Sequence, residues 1–148
     1  MQFKKVRLIF IASGLFLLLD QFLKWQATHG WRATHLLSPH FGWELFFNTG
    51  AAFGLPIGNK PILFFTVLIM GVVLYLLLKE LKKQIPDSVL LLAWSLILFG
   101  AISNLADRFI HAYVIDYMLL GTAIINVADA MIVVGLGIYL LKLFRTKQ

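Results

Sequence analysis

The chain has 148 residues, of which 60% are hydrophobic and only 14% charged, with no cysteine and a net charge of +6. A mean hydropathy of +0.86 does not suit a water-soluble domain, and the lack of cysteine excludes disulfides, thiolate catalysis and cysteine-based metal sites. The basic excess does not point to nucleic acid, because nine of the 13 basic residues collect beside the ends of apolar stretches: Lys4, Lys5, Arg7, Lys79, Lys82, Lys83, Lys142, Arg145 and Lys147.

A spanning helix needs roughly 20 apolar residues, and four stretches supply them, at about residues 6–25, 61–78, 88–106 and 124–144. The sequence therefore predicts a single membrane-embedded domain over residues 1–148, all-α, with four transmembrane helices. By the positive-inside rule, both termini and the 79–87 loop are cytoplasmic, and segments 26–60 and 107–123 face outward.

Taken in order, the first apolar run, Leu8 to Leu19, follows Lys4, Lys5 and Arg7 in the manner of a secretory signal. Asp20 and Gln21 follow it where a small-residue cleavage site would stand, so an uncleaved helix is expected. Asp20 and Lys24 lie four residues apart on one face at its outer end. By themselves they read as an interfacial ion pair, the lysine reaching up to water. Trp25 and Trp31 fit the aromatic belt at the membrane surface.

Segment 26–60 is too long for a plain connection. Within it Phe41, Trp43, Leu45 and Phe47 alternate with His40, Gly42, Glu44 and Phe46, a strand pattern, and Asn48-Thr49-Gly50 marks a turn. A small β segment, a hairpin lying on the outer leaflet, is expected. The following Ala51-Ala52-Phe53-Gly54 reads as small packing residues. His29, His35 and His40 lack ligand spacing and are expected at the interface or in solvent. Pro61 opens the second helix, where the first turn has no donor to lose. That helix carries no charge up to Leu78 and reads as a lipid-facing wall, with Gly71 expected to permit close packing. Glu80, Lys82, Lys83, Pro86 and Asp87 make a short cytoplasmic turn.

Polar residues return between Gly100 and Ala130, which holds three of the seven acidic residues. Asn104, Asp107 and Arg108 stand at i, i+3 and i+4, one face at the outer end of the third helix. Asn126 and Asp129 at i and i+3 do the same in the fourth. Asp116 lies between, in the apolar surround Val114-Ile115-Asp116-Tyr117. Ionisable groups near lipid are costly and normally mark function. Two readings fit these residues. Asp116 and Asp129 can form a pair sharing one proton, one carboxylate activating water while the other polarises an amide. Alternatively, Asn and Asp at facing helix ends lock membrane helices together by hydrogen bonds of roughly 1 kcal/mol each. A proton- or cation-carrying site would instead want its carboxylate near mid-membrane, where the second and third helices have none.

Five motifs then occur in one order: Asp20-Gln21-x-x-Lys24, Asn48-x-Gly50-Ala51-Ala52-Phe53-Gly54, Asn104-x-x-Asp107-Arg108, Val114-Ile115-Asp116-Tyr117 and Asn126-x-Ala128-Asp129. In this the chain resembles the lipoprotein signal peptidases, or signal peptidase II, aspartyl peptidases of the bacterial cytoplasmic membrane. The resemblance implies that Asp116 and Asp129 are the catalytic dyad and that Asp20, Lys24, Asn48, Gly50, Asn104, Arg108, Asn126 and Ala128 support it. It implies removal of the signal peptide from a prolipoprotein, immediately before a diacylglyceryl-modified cysteine, in contact with membrane lipid. It also implies inhibition by the cyclic peptide globomycin, and no metal or organic cofactor. No nucleic-acid partner is expected, and one chain holds all five motifs, so a monomer is expected. The chain departs from the family in Ala112, where glycine is usual, and in Tyr117, where phenylalanine is usual.

Overall fold

The structure, a computed structural model, describes residues 2–30, 34–50 and 59–146. Trp31, Arg32, Ala51-Ala52-Phe53-Gly54 and Lys147 lie outside the described residues. The helices are α1 (Gln2–His29), α2 (Asn59–Leu81), α3 (Ser88–His111) and α4 (Val127–Thr146). The strands are β1 (His35–Ser38), β2 (Phe41–Asn48), β3 (Val114–Leu120) and β4 (Ala123–Ile125). Four apolar helices with a small antiparallel sheet are the expected fold class. Each helix contains a stretch long and apolar enough to span a bilayer: Phe3–His29, Lys60–Leu81, Ser88–His111 and Val127–Arg145. At 1.5 Å per residue, the 24 residues of α3 cover roughly 36 Å, more than a hydrocarbon core of about 30 Å.

α1 and α2 are apolar nearly all round, and their outward side chains, Leu15, Leu18, Phe64 and Ile69 among them, are exposed as lipid-facing residues would be. α3 is the central helix. It packs against each of the other three, and with α2 it forms the core, where Val73 and Leu77 meet Leu91, Trp94, Ile97 and Leu98. Two glycines let α3 and α4 approach closely. A Cβ at Gly100 would stand 2.6 Å from the Ala128 carbonyl oxygen, and one at Gly135 would stand 2.7 Å from that of Ala93. The close-packing role expected of Gly71 is not found: among the described residues a Cβ there would meet nothing within 4 Å.

The helix ends are closed by side chains and backbone geometry. Asp87 caps α3, its carboxylate accepting from the Val89 and Leu90 amides, and it pairs with Lys142 of α4 at 2.8 Å. Glu80, expected in the short cytoplasmic turn, is instead buried in the last turn of α2. There it accepts from Lys83 Nζ at 2.6 Å and from the Asp87 amide at 2.8 Å. At the far end of α3, Ala112 adopts the left-handed conformation, φ 65°, and its amide donates to the Arg108 carbonyl at 3.1 Å.

The sheet runs β1-β2-β3-β4 with every pair antiparallel. The expected hairpin of segment 26–60 is β1-β2, but it forms only half the sheet. β2 pairs with β3, placing Phe46 opposite Asp116 and Asn48 opposite Val114, and β3 turns back into β4 through Gly121, φ 69°. The fourth helix therefore does not begin near residue 124. Ala123–Ile125 belong to β4, and helix starts at Val127. An apolar run such as Ala123-Ile124-Ile125 has no period that separates strand from helix. Only its pairing with Met118–Leu120 decides. The first and third helices extend beyond the expected limits to His29 and His111.

Candidate active site

The end of the bundle that carries the sheet brings together α1, α3, β2, β3 and the start of α4. From α1, Asp20 and Lys24 point into it as a turn-spaced pair, Lys24 Nζ lying 2.7 Å from Asp20 Oδ2. The lysine does not reach up to water. Both residues are fully buried, Lys24 at 1% exposure and Asp20 at 0%. The reason lies in α3: Lys24 also meets Asp107 at 2.9 Å and donates to Asn104 Oδ1 at 3.0 Å, which occupies all three of its N–H groups.

Asp20 is saturated as well. Its Oδ2 accepts from Lys24 and from Ser103 Oγ at 2.6 Å, and its Oδ1 accepts from the Tyr117 hydroxyl at 3.0 Å and the Ala128 amide at 3.2 Å. Asp107 accepts from Gln21 at 3.2 Å and from the Ile115 amide at 3.2 Å. A buried ion cluster of this kind is tolerated because each charge has its partners.

On top of this cluster, residues Asn126-Val127-Ala128-Asp129 close α4 as a reciprocal capping box. The Asp129 amide donates to Asn126 Oδ1 at 2.8 Å, and the Asn126 amide approaches Asp129 Oδ2 at 3.4 Å. Asn126, fully buried, is the hub of the site. Its Nδ2 donates to Asp116 Oδ1 at 2.6 Å and to Asn104 Oδ1 at 3.1 Å. Asn104 Nδ2 in turn donates to Asp129 Oδ1 at 2.8 Å. Asp116 and Asp129 are thus linked through Asn126, which meets both, and through Asn104, which joins Asn126 to Asp129. Asn48, diagonal to Asp116 across the β2-β3 pair, donates to Asp116 Oδ2 at 3.0 Å. It also accepts from the Gly50 amide at 3.1 Å. Arg108 Nη2 donates to the Gly50 carbonyl at 2.8 Å, holding the end of β2 over the site.

Asp116 is buried and Asp129 half-buried. Burial first, and then the negative charge of Asp129, raise the Asp116 pKa to about 7, against the opposing pull of Asn48, Lys24 and Asn126. Tyr117, next along the strand, is held above the ordinary phenol range by burial and then by the Asp20 charge. A cavity of about 400 Å³ lies at this end between Trp25, His29, Phe47, His111 and Tyr113. Its wall includes Ile115, on the opposite side of β3 from Asp116. Among the described residues no three His, Cys, Asp or Glu side chains gather to hold a metal ion.

Two carboxyl groups joined through Asn126, the charge of one raising the pKa of the other, are suited to hold one proton between them. The family model described as signal peptidase (SPase) II matches residues 12–145, which includes every residue of this arrangement. The chain belongs to the signal peptidase II family. Its relatives include the lipoprotein signal peptidase of Shouchella clausii (strain KSM-K16), 32% identical over 141 residues, covering 90% of this chain and 91% of that protein. That of Polynucleobacter necessarius subsp. necessarius (strain STIR1) is 38% identical over 128 residues, covering 80% and 78%. A solved structure described as a bacterial membrane enzyme, by the in meso method at 2.3 Å resolution, matches with a TM-score of 0.80 at 23% identity. It covers 97% of this chain and 89% of that one, a likeness of fold.

For a member of the signal peptidase II family, the residues singled out from sequence fall in one place. Asp116 and Asp129 share Asn126, and Asn104 bridges Asn126 to Asp129. Asn48, Gly50 and Arg108 form the β2 side, Asp20 and Lys24 the buried floor, and Ala128 lends its amide to Asp20. Arg108 meets the Gly50 carbonyl, while Asp107 serves Lys24. Ser103 was not singled out, although it stands four residues before Asp107 on the same face of α3. Tyr117 was noted only as a departure from the family, and nothing local indicated that its hydroxyl joins Asp20 to the Val127 amide.

Proposed function

We propose that the chain is an aspartic-type endopeptidase that removes the signal peptide from diacylglyceryl-modified prolipoproteins, cutting immediately before the lipidated cysteine, with Asp116 and Asp129 as its catalytic pair. The observation that carries this reading is the hydrogen-bonded chain that joins Asp116 to Asp129 through Asn126 and Asn104. One carboxylate takes a proton from a water as its oxygen bonds to the scissile carbonyl carbon. The other, protonated, gives its proton to the carbonyl oxygen. Collapse of the tetrahedral diol breaks the C–N bond, and the amine of the lipidated cysteine leaves with a proton from the pair. Asn48 and the Arg108–Gly50 contact hold the β2 side, where an extended substrate backbone would lie.

In this reading the protein is a multi-pass protein of the bacterial cytoplasmic membrane with both termini in the cytoplasm, so the sheet and the carboxylates sit beneath the outer surface. The substrate arrives sideways from the bilayer with its lipid anchor embedded. A single chain supplies every residue named, in keeping with a monomer. Globomycin is expected to occupy the pair and block cleavage. No cofactor enters the chemistry.

The test is a gel-shift assay with a diacylated prolipoprotein in the presence and absence of globomycin. Asp116→Asn and Asp129→Asn are each expected to lower kcat by at least roughly 10²- to 10⁴-fold, the usual worth of a positioned acid or base, with the helical circular dichroism unchanged. Full turnover by either variant ends the aspartic assignment.

A further inference from the structure

Tyr117 is among the largest fully buried side chains, at 1% exposure, yet its phenol oxygen sits between two polar partners from different elements. It donates to Asp20 Oδ1 on α1 at 3.0 Å and accepts from the Val127 amide, the first of α4, at 3.1 Å. Its ring is fixed by stacking on Trp43, centroids 6.0 Å apart and 21° from parallel. Because neighbouring residues of a strand point to opposite faces, Tyr117 reaches beneath the sheet while Asp116 faces Asn48 and Asn126.

The first amides of a helix have no partner within it, and in α4 the first three are each met by a side chain. Val127 N–H goes to Tyr117, Ala128 N–H to Asp20 and Asp129 N–H to Asn126. Of these three partners only Tyr117 belongs to the strand that carries Asp116, a strand that Asn126 also meets through Asp116 Oδ1 at 2.6 Å and the Ile115 carbonyl at 3.4 Å. We infer that Tyr117 is a positioning residue for the peptidase reaction: its hydroxyl fixes the first turn of α4, and with it the Asp129 carboxyl, relative to Asp116. This rests on the aspartic reading above.

Replacing the hydroxyl by hydrogen leaves the Val127 amide unpaired in a part-buried place and costs Asp20 one of its four donors. The first turn of α4 relieves this by shifting, which carries Asp129 away from Asp116. The charge of Asp129 is one of the causes that raise the Asp116 pKa, so its retreat lets the shared proton leave at lower pH.

The experiment compares full-length wild type, Tyr117→Phe and Val127→Pro on a synthetic diacylated prolipoprotein peptide in bilayers, following kcat, KM and the pH profile. Val127→Pro removes the donor from the other side, at a helix position where proline is tolerated, and decides the matter alone should Tyr117→Phe not fold. In both variants kcat is expected to fall roughly tenfold to a hundredfold, the scale of an ångström of misplacement, with KM nearly unchanged. The alkaline limb of the pH profile is expected to move to lower pH. Unchanged kcat, or a lowered kcat with the limb unmoved, overturns the positioning role in favour of a packing one. Asp116→Asn, run alongside, keeps the two readings apart. Its full activity ends the dyad itself, whereas an inactive Asp116→Asn beside wild-type behaviour of the folded variants ends only the role of Tyr117.

Discussion

At the scale of single residues, the proposed mechanism makes the carboxyl of Asp116 the group that sets the pH behaviour. Its pKa rises from an ordinary 3.8 to about 7 because burial and Asp129 disfavour the charge. The folded state thus prefers the protonated group, a preference present in full at low pH and lost as pH climbs through about 7. A pair that works with one proton loses it over the same range. kcat/KM for prolipoprotein cleavage is therefore expected to decline above about pH 7, and a pH-rate profile in bilayers checks this. Arg108 acts through geometry rather than charge alone. Its guanidinium holds the Gly50 carbonyl at 2.8 Å, and lysine lacks the planar fork that lets arginine serve several acceptors. Arg108→Lys is expected to cut kcat by roughly tenfold, as loss of about 1.4 kcal/mol of orientation would, and steady-state kinetics reads it directly.

At the scale of elements, the ends of the helices decide more than their interiors. The apolar runs place four helices in the sequence, but where each stops depends on caps. Asp87 stands where the third helix was expected to begin and caps it, whereas Asn126, expected inside the fourth helix, caps it instead, because Ala123–Ile125 found a partner in β3. The β3-β4 hairpin was not legible, since its residues are as apolar as a helix and its pairing is tertiary. The end of α3 offers a direct test. Ala112 carries a φ of 65°, a conformation that costs a residue with a Cβ about 1 kcal/mol and glycine nothing. Ala112→Gly is expected to stabilise the protein by about 0.5–1 kcal/mol, raising the thermal midpoint by roughly 2 °C. Thermal unfolding in detergent measures this, and a lowered midpoint contradicts it.

At the scale of the whole molecule, the distribution of charge predicts orientation. Lys83 and Ser38 lie at opposite ends of the bundle, and the chain has no cysteine of its own. Single variants Lys83→Cys and Ser38→Cys therefore report sidedness cleanly. With the excess of Lys and Arg inside, a membrane-impermeant thiol reagent is expected to label Ser38→Cys in intact cells and Lys83→Cys only after lysis. The opposite pattern inverts the topology and removes the site from the outer face.

By itself the sequence determined the membrane class, the four spans and the company of polar residues that belong together. Hydrophobic transfer is nearly additive along a chain, and a costly polar residue in an apolar run stands out without any knowledge of its neighbours. The tertiary structure alone decided that Lys24 is buried rather than reaching for water, that Asn126 and Asn104 join Asp116 to Asp129, and that Gly100 and Gly135 rather than Gly71 let helices touch. Each of these depends on which face of one element meets which face of another. That meeting is fixed by hydrogen bonds between residues up to 108 positions apart, and no local pattern in the chain records it.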